Sequence, residues 1–209
     1  MIITKQDLKS FNHVHRLNIV NSISGVKQAC LIGTKSKNGK DNLGLFNSIF
    51  HIGSDPGLLG FVMRPSKDVR RDTLENIIES GYYTINHVHQ SILVNSHYTS
   101  AKIESEKSEF TSCNLTPEYV KDFPAPFVGE SYIRIGMRFL EQMPIKYNGT
   151  TIIVGQIECV EFPNSIINEK GLIDFDMAKN VVVSGLNKYY QVGHILDMPY
   201  ARPNQIPKF

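Results

Sequence analysis

The sequence predicts a mostly β fold with a few helices, closed or nearly closed into an antiparallel barrel, and three observations carry that prediction. Short apolar runs with strand-like alternation recur along the chain, turn signals separate them, and a strong helix signature stands at Asp72 to Gly81. Closing such strands into a barrel removes exposed edges. The 209 residues suffice to bury a substantial core without splitting. No repeat, low-complexity tract or Pro/Ser-rich linker divides them, so residues 1–209 read as a single domain.

Taken in order, Val26 to Thr34 reads as a half-buried strand, and Lys37-Asn38-Gly39-Lys40 carries the Asn-Gly signal of a hairpin. Leu43 to Ile52 and Leu58 to Met63 follow as strands joined by the turn Ser54-Asp55-Pro56-Gly57. The helix opens with Asp72 as N-cap and Glu75 three residues on, as in a capping box; Leu74, Ile77 and Ile78 supply its apolar face and Gly81 ends it. Tyr82 to Val88 alternates as a strand does. The span from His89 to Val128 is polar, with a short helix expected around Pro117 to Asp122; long excursions of this kind are often functional. Ile133 to Leu140 and Thr151 to Phe162 read as two later strands with Asn148-Gly149 turning between them.

Composition excludes several classes of partner. With 22 basic against 20 acidic side chains the formal charge is +2, which gives no reason to invoke nucleic acid or a membrane surface. Three cysteines, Cys30, Cys113 and Cys159, form no C-x-x-C pair, arguing for a reducing compartment over a disulfide framework. No N-terminal run resembles a signal peptide and no stretch is long enough to span a bilayer, so the expected location is cytoplasmic.

One local cluster points to chemistry. Arg64, Lys67, Arg70 and Arg71 lead directly into the helix start, where unpaired N–H groups and partial positive charge make a ready anion site. A solvated basic loop before a helix is the competing account, and for at least one of Arg70 and Arg71 it is preferred. The H-x-H pairs His13/His15 and His87/His89 would each share one face of a strand, yet lack a third ligand at metal spacing and read as surface or interface histidines. Glu104, Glu106 and Glu109 read as a solvated acidic run. Ser48 lacks a nucleophile-elbow context, and no G-x-G-x-x-G follows a strand to open a helix.

From about Val26 onward the chain resembles the flavin reductase-like, or flavoredoxin, group of FMN-binding split-barrel proteins. The pieces are Asn42 to Phe50, Asp55-Pro56-Gly57-Leu58, Arg71-Asp72-Thr73-Leu74-Glu75-Asn76-Ile77, Gly81 to Asn86, Thr99-Ser100-Ala101, Ser108-Glu109-Phe110 and Ala125-Pro126-Phe127-Val128, in family order. The resemblance implies a six-stranded antiparallel split barrel that forms a homodimer with FMN at the subunit interface. A phosphate calls for cations and oriented donors, and Arg64, Ser66 and Thr73 are favoured, with Lys67 or one of Arg70 and Arg71 as the additional charge. Asn47, Ser48, Ile49 and Phe50 lie where the family strand runs along the flavin ring; Asn47 and Ser48 offer side-chain donors, whereas Phe50 is expected to pack in the core. Thr99 and Ser100 match a cofactor-contacting loop, though an ordinary Ser/Thr turn is an equal account. Tyr190, in Lys188 to Gly193, matches an element bordering the flavin.

The implied activity is an FMN-dependent oxidoreductase passing hydride or electrons through bound FMN, with NAD(P)H as transient reductant; no catalytic side chain is assigned. The G-D-H element that relatives associate with nicotinamide is absent, its strand here reading Val154-Gly155-Gln156-Ile157. A flavoredoxin-like electron carrier served by a redox partner protein is therefore the alternative, and a cofactor-free interaction module is a third, less favoured reading.

Overall fold

The computed structural model describes residues 1–66, 70–104 and 107–207. Its strands are β1 Lys27–Gln28, β2 Cys30–Lys35, β3 Asp41–Phe46, β4 Phe50–Ser54, β5 Gly57–Met63, β6 Tyr82–His87, β7 Pro117–Glu118, β8 Phe127–Val128, β9 Arg134–Pro144, β10 Thr151–Glu161, β11 Val181–Ser184 and β12 Lys188–Gln191. Its α-helices are α1 Lys5–Ser10, α2 His13–Ser22, α3 Asp72–Ser80, α4 Leu93–Tyr98 and α5 Glu109–Ser112. Seven strands form the main sheet in the order β3-β2-β6-β9-β10-β5-β4, every pair antiparallel. The expected six-stranded barrel is thus corrected: the sheet has seven strands and does not close, because β3 and β4 remain its two edges.

Those edges are consecutive in sequence, and this shapes the molecule. The expected single strand Leu43 to Ile52 breaks at Asn47, Ser48 and Ile49, since β3 ends where it pairs β2 (Phe46 opposite Cys30) and β4 begins where it pairs β5 (Phe50 opposite Gly60). Four residue steps separate Phe46 from Phe50, so the two edges lie at most about 14 Å apart there and the sheet must curl almost shut. Ser48 seals the seam: its hydroxyl donates to the Val62 carbonyl and accepts from the Val62 N–H, each at 3.1 Å.

Alternation within the strands builds two apolar cores. Cys30, Ile32, Phe61, Met63, Tyr83, Ile85, Met137 and Ile153 meet Leu74 and Ile77 of α3 in one. Ala29, Leu31 and Leu43 point the other way, toward Val88, Phe110, Val128, Val181 and Val183 in the second. Gly33 is required where β2 passes the Pro126 carbonyl, which a Cβ would strike. The Lys37–Lys40 hairpin turn and the Asn148-Gly149 turn occur as expected, with Gly39 and Gly149 at positive φ. The turn at Ser54 to Gly57 carries a cis Asp55–Pro56 bond.

Several expectations are corrected. Pro117 to Asp122 is not helical: Pro117 and Glu118 pair with β8, and Lys121 and Asp122 take positive φ. Asp72 is the first helical residue and not the cap; Arg71 caps α3 with no side-chain bond, while Gly81 ends it in the left-handed region. Ile78 is exposed, and the third inward position belongs to Asn76, whose amide donates to Thr34. His13 and His15 sit on a helix and therefore do not share a face. His87 and His89 are not surface groups: the Asn180 amide lies 2.9 Å from His87 Nδ1, and His89 Nε2 bonds the Glu130 carbonyl at 2.8 Å. Among the described residues no helix is long and apolar enough to cross a membrane.

Candidate functional site

The seam between β3 and β4 opens into a cavity of about 260 Å³. Residues 42–48 form one wall, Val62, Met63 and Arg64 another, and the helix start from Arg70 to Thr73 a third; Thr99, Ser100 and Glu109 complete it. Of the residues singled out from sequence, the structure gathers Asn47, Ser48, Arg64, Arg71, Thr73, Thr99 and Ser100 here, together with Arg70. Ser66 is exposed and outside the lining, Ile49 packs against the first core, and Tyr190 is exposed on β12. Phe50 is also outside the lining and, contrary to expectation, is not a core residue; it is 39% exposed, its ring lying over Gly60. Lys67 lies outside the described residues.

At the helix end of the cavity the donors are set by local geometry. With no side chain capping α3, the N–H groups of Asp72 and Thr73 have no main-chain acceptor among the described residues. The Asn42 amide donates to the Thr73 hydroxyl oxygen at 3.2 Å, which fixes that hydroxyl and leaves its hydrogen to donate. Arg71 Nε donates to the Pro65 carbonyl at 3.3 Å. Arg70 is instead held by Asp72 and Glu75 at 2.8 and 3.0 Å, so its charge is neutralised locally. Arg64 has no ion-pair partner among the described residues.

At the seam end the side-chain donors are already engaged. Ser48 is committed to Val62, and the Asn47 amide donates to the Gly185 carbonyl at 3.0 Å. The main-chain N–H groups of Asn47 and Ser48, by contrast, have no main-chain acceptor among the described residues. Gly44 also lines the cavity, and a Cβ there would come within 3.1 Å of the Phe46 ring and 3.7 Å of the Thr73 hydroxyl. The backbone is therefore the surface this end offers. Thr99 and Ser100 spend their hydroxyls on the Ser96 and His97 carbonyls, the behaviour of a helix end.

Three residues at or beside the cavity are not among the site residues expected from sequence. Glu109, expected to be a solvated carboxylate, lines the cavity and accepts the Leu43 N–H at 3.1 Å. Burial pushes its carboxyl above the ordinary value, assisted by nearby Asp72 and opposed by hydrogen bonds and by Lys40. His97 and Tyr189, from segments far apart in sequence, share a hydrogen bond of 2.8 Å. His97 lines a second cavity of about 290 Å³ that shares Leu45, Phe46, Asn47, Arg64 and Ser100 with the first. Glu109 carries a sequence signal through the S-E-F element in the family order and Tyr189 through the Lys188 to Gly193 element, whereas His97 lies in none of the matched pieces.

Residues 26–180 match the family described as flavin reductase like domain. The fold is similar to a provisionally assigned flavin reductase with split barrel domain from Shewanella frigidimarina NCIMB 400, at TM-score 0.92 and 38% identity over 96% of this chain and 100% of that one. It is similar also to nitrilotriacetate monooxygenase component B from Bacillus cereus, at TM-score 0.83 and 18% identity over 95% and 98% of the two chains. Flavoredoxin of Desulfovibrio vulgaris (Miyazaki F) aligns at TM-score 0.72 and 23% identity, covering 84% and 92%. The chain therefore belongs to the flavin reductase-like domain family.

Proposed function

We propose that the chain is an FMN-binding oxidoreductase in which NAD(P)H reduces the flavin and a second acceptor reoxidises it. The observation that carries this reading is the polarity of the seam cavity: cation, hydroxyl and open helix N–H groups at one end, main-chain N–H groups beside a glycine at the other. That donor set fits the group. Arg71, Thr73 and the helix start would hold a phosphate, with Arg64 between the two cavities; the main chain of Asn47 and Ser48 would meet the polar ring edge. When bound, FMN supplies hydride and single-electron chemistry. The protein's share is to bind, orient and exclude water, and backbone donors on a seam tied to Val62 and Gly185 are rigid enough to favour charge developing at the ring edge.

Homodimerisation belongs to the same proposal. Edge strand β4 carries Phe50 and Ile52 exposed, and apolar edges of this kind invite a covering chain. The unpaired thiols Cys30, Cys113 and Cys159 suit a reducing, cytoplasmic setting. A flavoredoxin-like carrier is the second reading, favoured by the lack in this sequence of the G-D-H element that the family resemblance associates with a nicotinamide site. Anaerobic addition of NADH and NADPH to the FMN-loaded protein separates the two. Rapid bleaching of the flavin absorbance supports the reductase, persistence of the oxidised spectrum supports the carrier, and failure to take up FMN overturns both.

A further inference from the structure

The second cavity differs from the first in one respect that decides its ligand. The seam cavity is lined by two carboxylates, Asp72 and Glu109; the second has Arg64 and His97 on its wall and, among the described residues, no acidic side chain. The rest of its wall combines apolar Leu45, Phe46, Val183 and Leu186 with the polar residues Asn47, Ser100 and Asn187. The β11–β12 turn that brings Leu186 and Asn187 is anchored by the bond from Asn47 to the Gly185 carbonyl. Tyr189 holds His97 through Nδ1 at 2.8 Å, which orients the ring and leaves Nε2 for a ligand.

We propose that this cavity is the second-substrate subsite and that it takes a small organic molecule carrying a carboxylate, its apolar body against Phe46 and Leu186 and its anion between Arg64 and His97. The proposal rests on the flavin reading for the meaning of "second substrate", though its ligand chemistry does not. A guanidinium matches a carboxylate in planar, bidentate fashion, and with no acidic residue among the described wall residues the field favours an anion over its neutral isostere. About 290 Å³ is at the lower end for a ligand pocket and suits a single ring. Arg64 lines both cavities, and Arg71, Thr73 and the open helix start supply the phosphate end without it.

The test titrates the full FMN-loaded chain with benzoate and with benzamide, following the flavin difference spectrum and the His97 ring resonances. Benzoate should bind at least about tenfold more tightly than benzamide. His97→Leu should remove about that factor while FMN stays bound, and Tyr189→Phe should weaken benzoate about threefold and shift the His97 resonances. Leu186→Trp, at a partly exposed position, should abolish benzoate binding by filling the cavity, and decides the matter if His97→Leu does not fold. Equal affinity for the two probes, no binding of either, or benzoate binding indifferent to these changes overturns the inference. If the chain takes up no FMN, the functional reading fails; benzoate titration of the flavin-free chain, read on the His97 resonances, then supports or overturns the subsite by the same outcomes.

Discussion

Glu109 places a carboxylate beside the position proposed for a phosphate. The desolvation that raises its pKa comes from α5 packing on β3 through Phe110, a contact between segments that sequence spacing does not bring together. For that reason the acidic run reads as solvated from sequence alone. Glu109→Gln keeps an acceptor for the Leu43 N–H and removes the charge, so FMN should bind several-fold more tightly while riboflavin, which lacks the anion, changes little. Parallel fluorescence titrations of the two flavins check this. Because the folded pKa is raised, Glu109 contributes stability that is present below the ordinary carboxylate value and is lost as pH rises through the folded one. His87 has the opposite sign. Burial lowers it from 6.5 to about 4, with Asn180 beside Nδ1, so the native state holds it neutral. Stability should therefore fall as pH drops from about 6.5 toward 4, by on the order of 3 kcal/mol if the group acts alone. Denaturant titrations of the native chain and His87→Gln across that window should show a slope that the variant lacks.

At the scale of elements, the link from Asn47 to Ile49 is the joint on which the site depends. Its residues suit strand and seam equally, and nothing in the alternation of Leu43 to Ile52 announces that the chain changes edges there. Sequence singles out Asn47 and Ser48 for their side-chain donors, whereas in the structure the Ser48 hydroxyl is spent on Val62 and the Asn47 amide on Gly185. Ser48→Ala leaves a Val62 donor and acceptor unpaired and should cost about 1–3 kcal/mol. Thermal unfolding should show a lower Tm even without flavin; an unchanged Tm would mean the seam is not held by this hydroxyl. Helix α3 is legible because its apolar spacing and its terminal glycine agree. Helices α1 and α2 are not, since neither buries a residue and so neither shows an apolar stripe; only the Thr4 and Asp7 capping pair marks the first.

For the whole molecule, antiparallel β architecture is readable from alternation and turns, whereas strand number and openness depend on where edges fall. The sheet's exposed edge carries Phe50 and Ile52, and Leu140 and Met143 on β9 are exposed as well. A second copy covering β4 should make the protein sediment as a dimer, and Ile52→Lys should shift it toward monomer with loss of FMN on dilution. An anion-bearing flavin at the seam is what ties the fold to the proposed chemistry. Calorimetric titration of the full chain with FMN and riboflavin, repeated on Thr73→Ala, tests it most directly. The expected result is one FMN per chain, bound more tightly than riboflavin, with Thr73→Ala weakening FMN about tenfold and riboflavin hardly at all. Equal affinities for the two flavins, or equal losses in the variant, would contradict it.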